Sequence, residues 1–267
     1  MPELPEVETI ARGLARRVTG DVIESVWLGS KPEPLKSPAS EIAATLESSR
    51  IEGVRRVGKH IVFDLLKKKK PAQWIIHLGM TGRLIVSEPD AEIVKHTHAV
   101  VKLKSGREMR FVDPRRFGRL SVAHDFDAGG SEPLEVDVDT FKRMFRGRKT
   151  PMKSALLNQK LLRGVGNIYA DESLFRAGIR PRRRASTISR EALQRLFTAI
   201  QEVLREAIAL GGSSVSDYVD SNGEEGFFQL QHRVYGREGE PCLVCDTPIK
   251  RVVIAGRSSH YCPHCQK

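Results

Sequence analysis

Apolar side chains recur at Val7, Ile10, Ala11, Leu14 and Val18, the spacing of one helical face, so residues 5–18 read as an amphipathic helix that Gly20 stops. Beyond Gly20 the pattern changes to short runs rich in β-branched and aromatic residues. These are Val22–Leu28, Ile51–Val57, Ile61–Leu66, Trp74–Leu78, Leu84–Val86, Ala99–Leu103, Met109–Val112 and Leu120–Val122. Turn residues separate them, which predicts an antiparallel sandwich or barrel. Lys67–Lys70 falls between two such runs and reads as a solvated turn tip, with phosphate binding the less favoured alternative.

After Asp125-Phe126-Asp127-Ala128-Gly129-Gly130 the spacing becomes helical again. Residues 139–146, 150–160, 167–177 and 189–210 read as helices. In the last, Leu193, Leu196, Phe197, Ile200, Val203, Leu204 and Ile208 form one stripe, as core packing requires, with Ser189 as N-cap and Gly211 as stop. Residues 211–228 are polar and glycine-rich and read as a mobile loop. Residues 234–267 read as a small metal-held hairpin.

Charge adds a partner class. The 267 residues carry 44 Lys+Arg against 33 Asp+Glu, a net charge of +11. Such an excess points to a polyanionic partner, the alternative being an ordinary basic protein. No run of 18 apolar residues is present, so no membrane helix is expected, and no secretory signal is visible. All four cysteines fall in the last 26 residues, which favours a metal clip over disulfides and a reducing compartment.

Three constellations carry chemistry. The first is Met1-Pro2-Glu3-Leu4-Pro5-Glu6. If Met1 is removed, Pro2 presents a secondary amine able to attack an electrophilic carbon and form an iminium, with Glu3 and Glu6 placed to move protons. The alternative is that Pro2 and Pro5 simply open a helix whose dipole favours early glutamates. The second is Cys242-Leu-Val-Cys245 followed, after sixteen residues, by Cys262-Pro-His-Cys265. That spacing suits a tetrahedral four-thiolate Zn2+ site with no open position, hence a structural zinc, and leaves His264 outside the ligand set.

The third is a set of glycine-flanked turns with basic or apolar tips. Gly164-Val-Gly166-Asn167 precedes a helix, where backbone N–H groups can approach a phosphate; close helix packing explains such glycines equally well. Arg146-Gly-Arg148-Lys149-Thr-Pro-Met-Lys153 lies just upstream. Met80 in His77-Leu-Gly-Met-Thr-Gly82, and Phe117 and Arg115 in Asp113-Pro-Arg-Arg-Phe-Gly118, have the character of wedges for a base stack and a space-filler for a flipped nucleotide. Each alone reads as core Met, core Phe and surface Arg. Lys59, in Gly58-Lys59-His60, is a candidate phosphate contact or acid, or a surface lysine.

Together, PELPEVET at 2–9, VGKH at 57–60, HLGMTG at 77–82, DPRRFG at 113–118, GVGNIYADESLF at 164–175, VYGREGEPC at 234–242 and GRSSHYCPHCQ at 256–266 resemble the bacterial formamidopyrimidine-DNA glycosylases. The resemblance runs from residue 2 to the last residue. It implies an α+β fold of two domains: an N-terminal helix with an antiparallel β-sandwich, then a helix–two-turn–helix module with a four-cysteine zinc finger. The implied boundaries are 1–128, 129–233 and 234–267. Double-stranded DNA containing oxidised bases would lie in a cleft between the halves, bound by a monomer in the bacterial cytoplasm at the nucleoid.

The implied activity is excision of oxidised purines, chiefly 8-oxoguanine and formamidopyrimidines, followed by β,δ-elimination. By motif, Pro2 is the nucleophile at the sugar C1′ and Glu3 the acid/base that opens the deoxyribose. Lys59 and Arg257 are the proton donors for β- and δ-elimination. Met80, Arg115 and Phe117 are the void-filling set. His77, His96, Arg148, Lys153, Asn167 and Arg257 are DNA contacts, mostly to phosphates, and Glu6 lines the lesion pocket. The 211–228 loop becomes the lid over an extruded base, and its Glu224-Glu225 pair is its least standard part. Two rivals stay open: an endonuclease VIII-like glycosylase for oxidised pyrimidines, and a non-catalytic binder of damaged DNA.

Overall fold

The computed structural model describes residues 1–215 and 218–267. By backbone contacts the chain groups into two units, one of residues 1–128 with 211–227, the other of residues 129–210 with 228–267.

The first unit opens with α1 (Leu4–Val18), whose Val7, Ile10, Leu14 and Val18 are fully buried. Next come β1 (Ile23–Leu28), α2 (Ala39–Leu46), β2 (Arg50–Val57), β3 (His60–Lys67), β4 (Lys70–His77), β5 (Arg83–Ser87), β6 (Thr97–Leu103), β7 (Glu108–Val112) and β8 (Arg119–Ala123). The strands form two antiparallel four-stranded sheets, ordered β2-β3-β4-β8 and β1-β6-β7-β5. One core unites them: Ile61, Phe63, Trp74 and Ile76 from the first sheet meet Leu84, Val101, Met109 and Phe111 from the second, together with the α1 stripe. Phe63 pairs with Trp74 across β3 and β4, ring centroids 4.9 Å apart. Lys68 and Lys69 form the β3–β4 turn in left-handed conformations, as a solvated tip.

The strand runs read from the sequence all appear. Helix α2 does not show in the sequence pattern: it is eight residues long, its N-cap is Pro38 with no side-chain cap, and only Ile42 and Leu46 are buried. Two apolar positions on so short a helix leave no readable period.

The second unit holds α3 (Val138–Phe145), α4 (Met152–Leu156), α5 (Asn167–Ala177) and α6 (Arg190–Ala209), then β9 (Lys250–Ile254) and β10 (Arg257–Tyr261). Asp137 caps α3 by accepting the Thr140 N–H, and Ser189 caps α6 by accepting that of Ala192. The helix expected over 150–160 shrinks to α4, because Pro151 opens it and the chain turns at Leu157–Asn158. Gly178, left-handed at φ 71°, ends α5. β9 and β10 pair across a two-residue turn, Ala255-Gly256, both at positive φ, which puts Arg257 at the start of β10.

Candidate active site, nucleic-acid contacts and metal centre

Pro2 and Glu3 are buried at the head of α1, with Glu3 as its N-cap. Glu6, buried one turn in, serves two backbone groups with one carboxylate. Its Oε2 accepts the Glu3 N–H at 2.7 Å and its Oε1 the Ser213 N–H at 2.8 Å. Such charge-assisted bonds are about twice as strong as neutral ones. Gly212, at φ 84°, makes the second bond possible: a Cβ there would stand 2.7 Å from Glu6 Oε1.

The described part of the 211–227 segment is tied down further. Tyr218 donates its hydroxyl to the Gly211 carbonyl at 2.9 Å, Ser214 Oγ accepts the Gly226 N–H at 2.9 Å, and Arg17 donates to the Asn222 side chain at 2.9 Å. Burial, with the Glu6 carboxylate nearby, raises the Tyr218 phenol pKa, so it stays a donor. The expectation of a mobile loop includes Ser216 and Asp217, which lie outside the described residues.

Lys59 sits in the turn between β2 and β3, 8 % exposed, after Gly58 at φ 59°. Arg56 braces this turn: its Nε donates to Glu8 Oε2 at 2.8 Å and its Nη1 to the Gly58 carbonyl at 3.1 Å. His77 ends β4 opposite His60, ring centroids 5.0 Å apart. Burial, helped by the positive groups of His60, Lys59 and Arg119, lowers the His77 pKa to about 4. Nδ1 accepts the Gly79 N–H at 3.1 Å, so the neutral ring carries its proton on Nε2, a donor suited to a phosphate oxygen.

The turns that carry Met80 and Phe117 meet. A Cβ on Gly79 would lie 2.5 Å from the Phe117 carbonyl carbon, so glycine permits the contact. Met80 and Phe117 are 41 % and 52 % exposed, large apolar groups held in water rather than in the core. Arg115 lies over the Phe117 ring, 4.7 Å from its centroid. His96, exposed and left-handed at φ 68°, ends the β5–β6 connection.

In the second unit, exposed Arg148 follows α3 and donates from Nε to the Met144 carbonyl at 2.6 Å. Asn167 opens α5 and donates to Ser258 Oγ at 3.3 Å, which joins that helix start to the β9–β10 hairpin. Arg257 is exposed at the hairpin tip. Lys153 departs from the expected surface contact. It has no exposed surface, and its ammonium is ion-paired with buried Asp171 and bonded to the carbonyls of Asn167 and Ser258. Asp171 also accepts the His260 N–H at 2.9 Å. The ammonium thus faces the interior, and a direct phosphate contact from the surface finds no exposed group.

Cys242, Cys245, Cys262 and Cys265 bring their Sγ atoms within 4.8 Å of one another. The separations include 3.9 Å for Cys242–Cys265, 3.5 Å for Cys245–Cys262 and 3.4 Å for Cys245–Cys265. Tetrahedral zinc with bonds of about 2.3 Å needs sulfur edges of about 3.8 Å, so the donor set fits that ion. His264 is not part of the cluster.

Reading the sequence leaves out four residues that shape these sites: Arg56, Asp113, Asp171 and Glu172. Glu172 is buried and accepts the N–H groups of Arg233, Val234 and Tyr235 at 2.9, 3.0 and 2.9 Å, fixing the chain as it enters the finger. Burial raises its pKa against the pull of those three donors. Asp113, Asp171 and Glu172 stand inside recognised motifs, but Thr81, Lys153 and the 233–235 segment that they bind are distant in sequence.

Comparison with known proteins covers nearly the whole chain. The Formamidopyrimidine-DNA glycosylase N-terminal domain matches residues 1–120, the Formamidopyrimidine-DNA glycosylase H2TH domain residues 130–219, and the zinc finger found in FPG and IleRS residues 239–267. The formamidopyrimidine-DNA glycosylase of Solibacter usitatus is 47 % identical over all of both chains. The crystal structure of the MutM (Fpg) protein from Thermus thermophilus superposes with a TM-score of 0.88 at 42 % identity, covering 99 % of this chain and 98 % of that one. A Lactococcus lactis variant in complex with Fapy-dG-containing DNA gives 0.92 at 32 % identity over all of both chains. With three consecutive domain matches and relatives this similar along their full length, the chain belongs to the formamidopyrimidine-DNA glycosylase family.

Proposed function

We propose that this DNA repair glycosylase excises oxidised purines, 8-oxoguanine and formamidopyrimidines, and then cuts the strand at the resulting site. After Met1 is removed, the Pro2 amine attacks the sugar C1′. Glu3 protonates the ring oxygen, the deoxyribose opens, and the damaged base leaves with its bonding pair and takes up a proton. The product is an iminium between Pro2 and the open sugar. Loss of the C2′ proton then expels the 3′ phosphate, with Lys59 as proton donor. A second elimination, with Arg257 as donor, expels the 5′ phosphate. General acid–base groups of this kind contribute about 10²–10⁴-fold each.

One observation carries the reading: Pro2 and Glu3 are held together in the protein interior at the head of α1, and Glu6 fixes the Glu3 backbone at 2.7 Å. A solvated helix cap has no need of that burial. The nucleophile and the acid then start from a fixed geometry, the condition under which proximity lowers a barrier most. His77, His96, Arg148, Asn167 and Arg257 supply phosphate contacts in this reading. Met80, Arg115 and Phe117 fill the gap left by the flipped nucleotide. The four thiolates hold one zinc, whose chemistry is structural: it fixes the hairpin that carries Arg257.

Borohydride trapping tests the proposal. Protein with a verified free Pro2 should form a covalent adduct with duplex DNA carrying 8-oxoguanine opposite cytosine, and less with thymine glycol DNA. Protein that retains Met1 should form none. No adduct from the free-Pro2 protein would leave a damage-binding protein; preference for thymine glycol would leave the oxidised-pyrimidine reading.

A further inference from the structure

The geometry points to Asp113 as the positioning residue of the wedge, the single group that sets Met80, Arg115 and Phe117 against one another; this rests on the void-filling reading of those three. Asp113 is fully buried just beyond the end of β7, and its carboxylate bonds go to the two wedge turns. Its Oδ1 accepts the hydroxyl of Thr81 at 2.6 Å and the N–H of Arg115 at 3.2 Å. Its Oδ2 accepts the N–H of Gly118 at 2.7 Å. Thr81 is the neighbour of Met80, and Arg115 and Gly118 bracket the Phe117 tip. One carboxylate therefore joins both turns.

Its backbone extends the same control. The Asp113 N–H donates to the carbonyl of His96 at 3.0 Å, and its own carbonyl is 2.9 Å from His98 Nε2. The strained His96 backbone thus has a fixed anchor on the same residue. The close approach of Gly79 to Phe117 removes any slack between the turns. A wedge must hold its shape while it displaces stacked bases, and unstacking costs a few kcal/mol. Met80 and Phe117, 41 % and 52 % exposed, are held only in part by packing of their own. The buried carboxylate that joins their turns supplies the rest.

Two substitutions separate positioning from general structure. Asp113→Asn keeps the shape but replaces one acceptor with an amide, so only one of the two carboxylate faces can be satisfied. Thr81→Val removes just the hydroxyl that links the turns, and Thr81→Ser restores it. Single-turnover excision of 8-oxoguanine is measured in a continuous duplex and in the same duplex with the lesion in an unpaired bubble; melting temperature checks the fold, and Phe117→Ala serves as the reference. The expected result is that Thr81→Val slows excision from the continuous duplex about tenfold, the equivalent of one lost hydrogen bond, and from the bubble by less than about twofold. Asp113→Asn should lose more on the continuous duplex, and Thr81→Ser should recover. Equal losses on the two substrates, or none for Thr81→Val, overturn the role of Asp113 if Phe117→Ala still shows the difference. If Phe117→Ala itself shows no difference, the void-filling reading fails first and takes this inference with it.

Discussion

Arg56 holds Glu8 of the first helix and the carbonyl of Gly58 at the same time, at 2.8 and 3.1 Å. One guanidinium therefore joins the helix that Pro2 and Glu3 precede to the turn that presents Lys59. Pro2 and Lys59, the proposed nucleophile and elimination acid, sit on separate elements, and this fork links the two.

Arg56→Met should therefore affect strand cleavage more than base excision. The helix keeps its apolar stripe, so the loss of stability should be about 2 kcal/mol, as for a hydrogen-bonded charge pair. Separate measurement of base release and of cleavage at a preformed abasic site checks this; equal losses in both would show Arg56 to be only a structural brace.

Acid should weaken the fold through two histidines before most carboxylates titrate. Burial lowers the pKa of His77 and of His232 to about 4 from the usual 6.5. Between those values the unfolded chain binds more protons than the folded one. The stability from keeping both rings neutral is therefore fully present above pH 6.5 and is lost as pH falls towards 4. Denaturant midpoints across that window should fall in the parent protein and flatten when both are changed to Asn.

With Glu3 in its proposed role as proton carrier, Glu3→Gln should bind lesion DNA with little change but excise the base at least about 10²-fold more slowly. A matching loss of affinity in an equilibrium binding assay would assign Glu3 a structural role.

Cys245→Ser should lower zinc content and DNA affinity together. The finger core is small, formed by Phe175, Val234 and Ile249 with the cysteines, so the proposed zinc would carry much of its stability. Metal analysis paired with DNA titration checks this, and chelation of the parent protein should mimic the variant.

The sandwich and the long helices were legible because their stripes are regular. The α1 stripe and the short runs of β-branched and aromatic residues both survive into the structure. The four-cysteine cluster was legible because tetrahedral thiolate geometry restricts cysteine spacing. The braces were not. Glu8 and Arg56 are 48 residues apart, and Thr81 and Asp113 are 32 apart. A single charged residue within a strand or turn carries no signal of a partner so far away. Lys153 misled for the same reason: among Arg148, Lys149 and Lys153 it resembles one more surface cation, and only Asp171, 18 residues on, turns it inward.

That inward turn changes what salt should do. Each lysine or arginine that neutralises a phosphate releases counterions and adds about 0.9 to the slope of log affinity against log salt. Lys153 counts towards the net charge of +11, but its partner is Asp171. Arg148→Ala should reduce the slope by about one. Lys153→Met should leave the slope unchanged while costing about 3–5 kcal/mol of stability, because Asp171 would be left buried without its counter-charge. The ionic atmosphere of the DNA thus distinguishes a cation that meets the nucleic acid from one that shapes the surface meeting it.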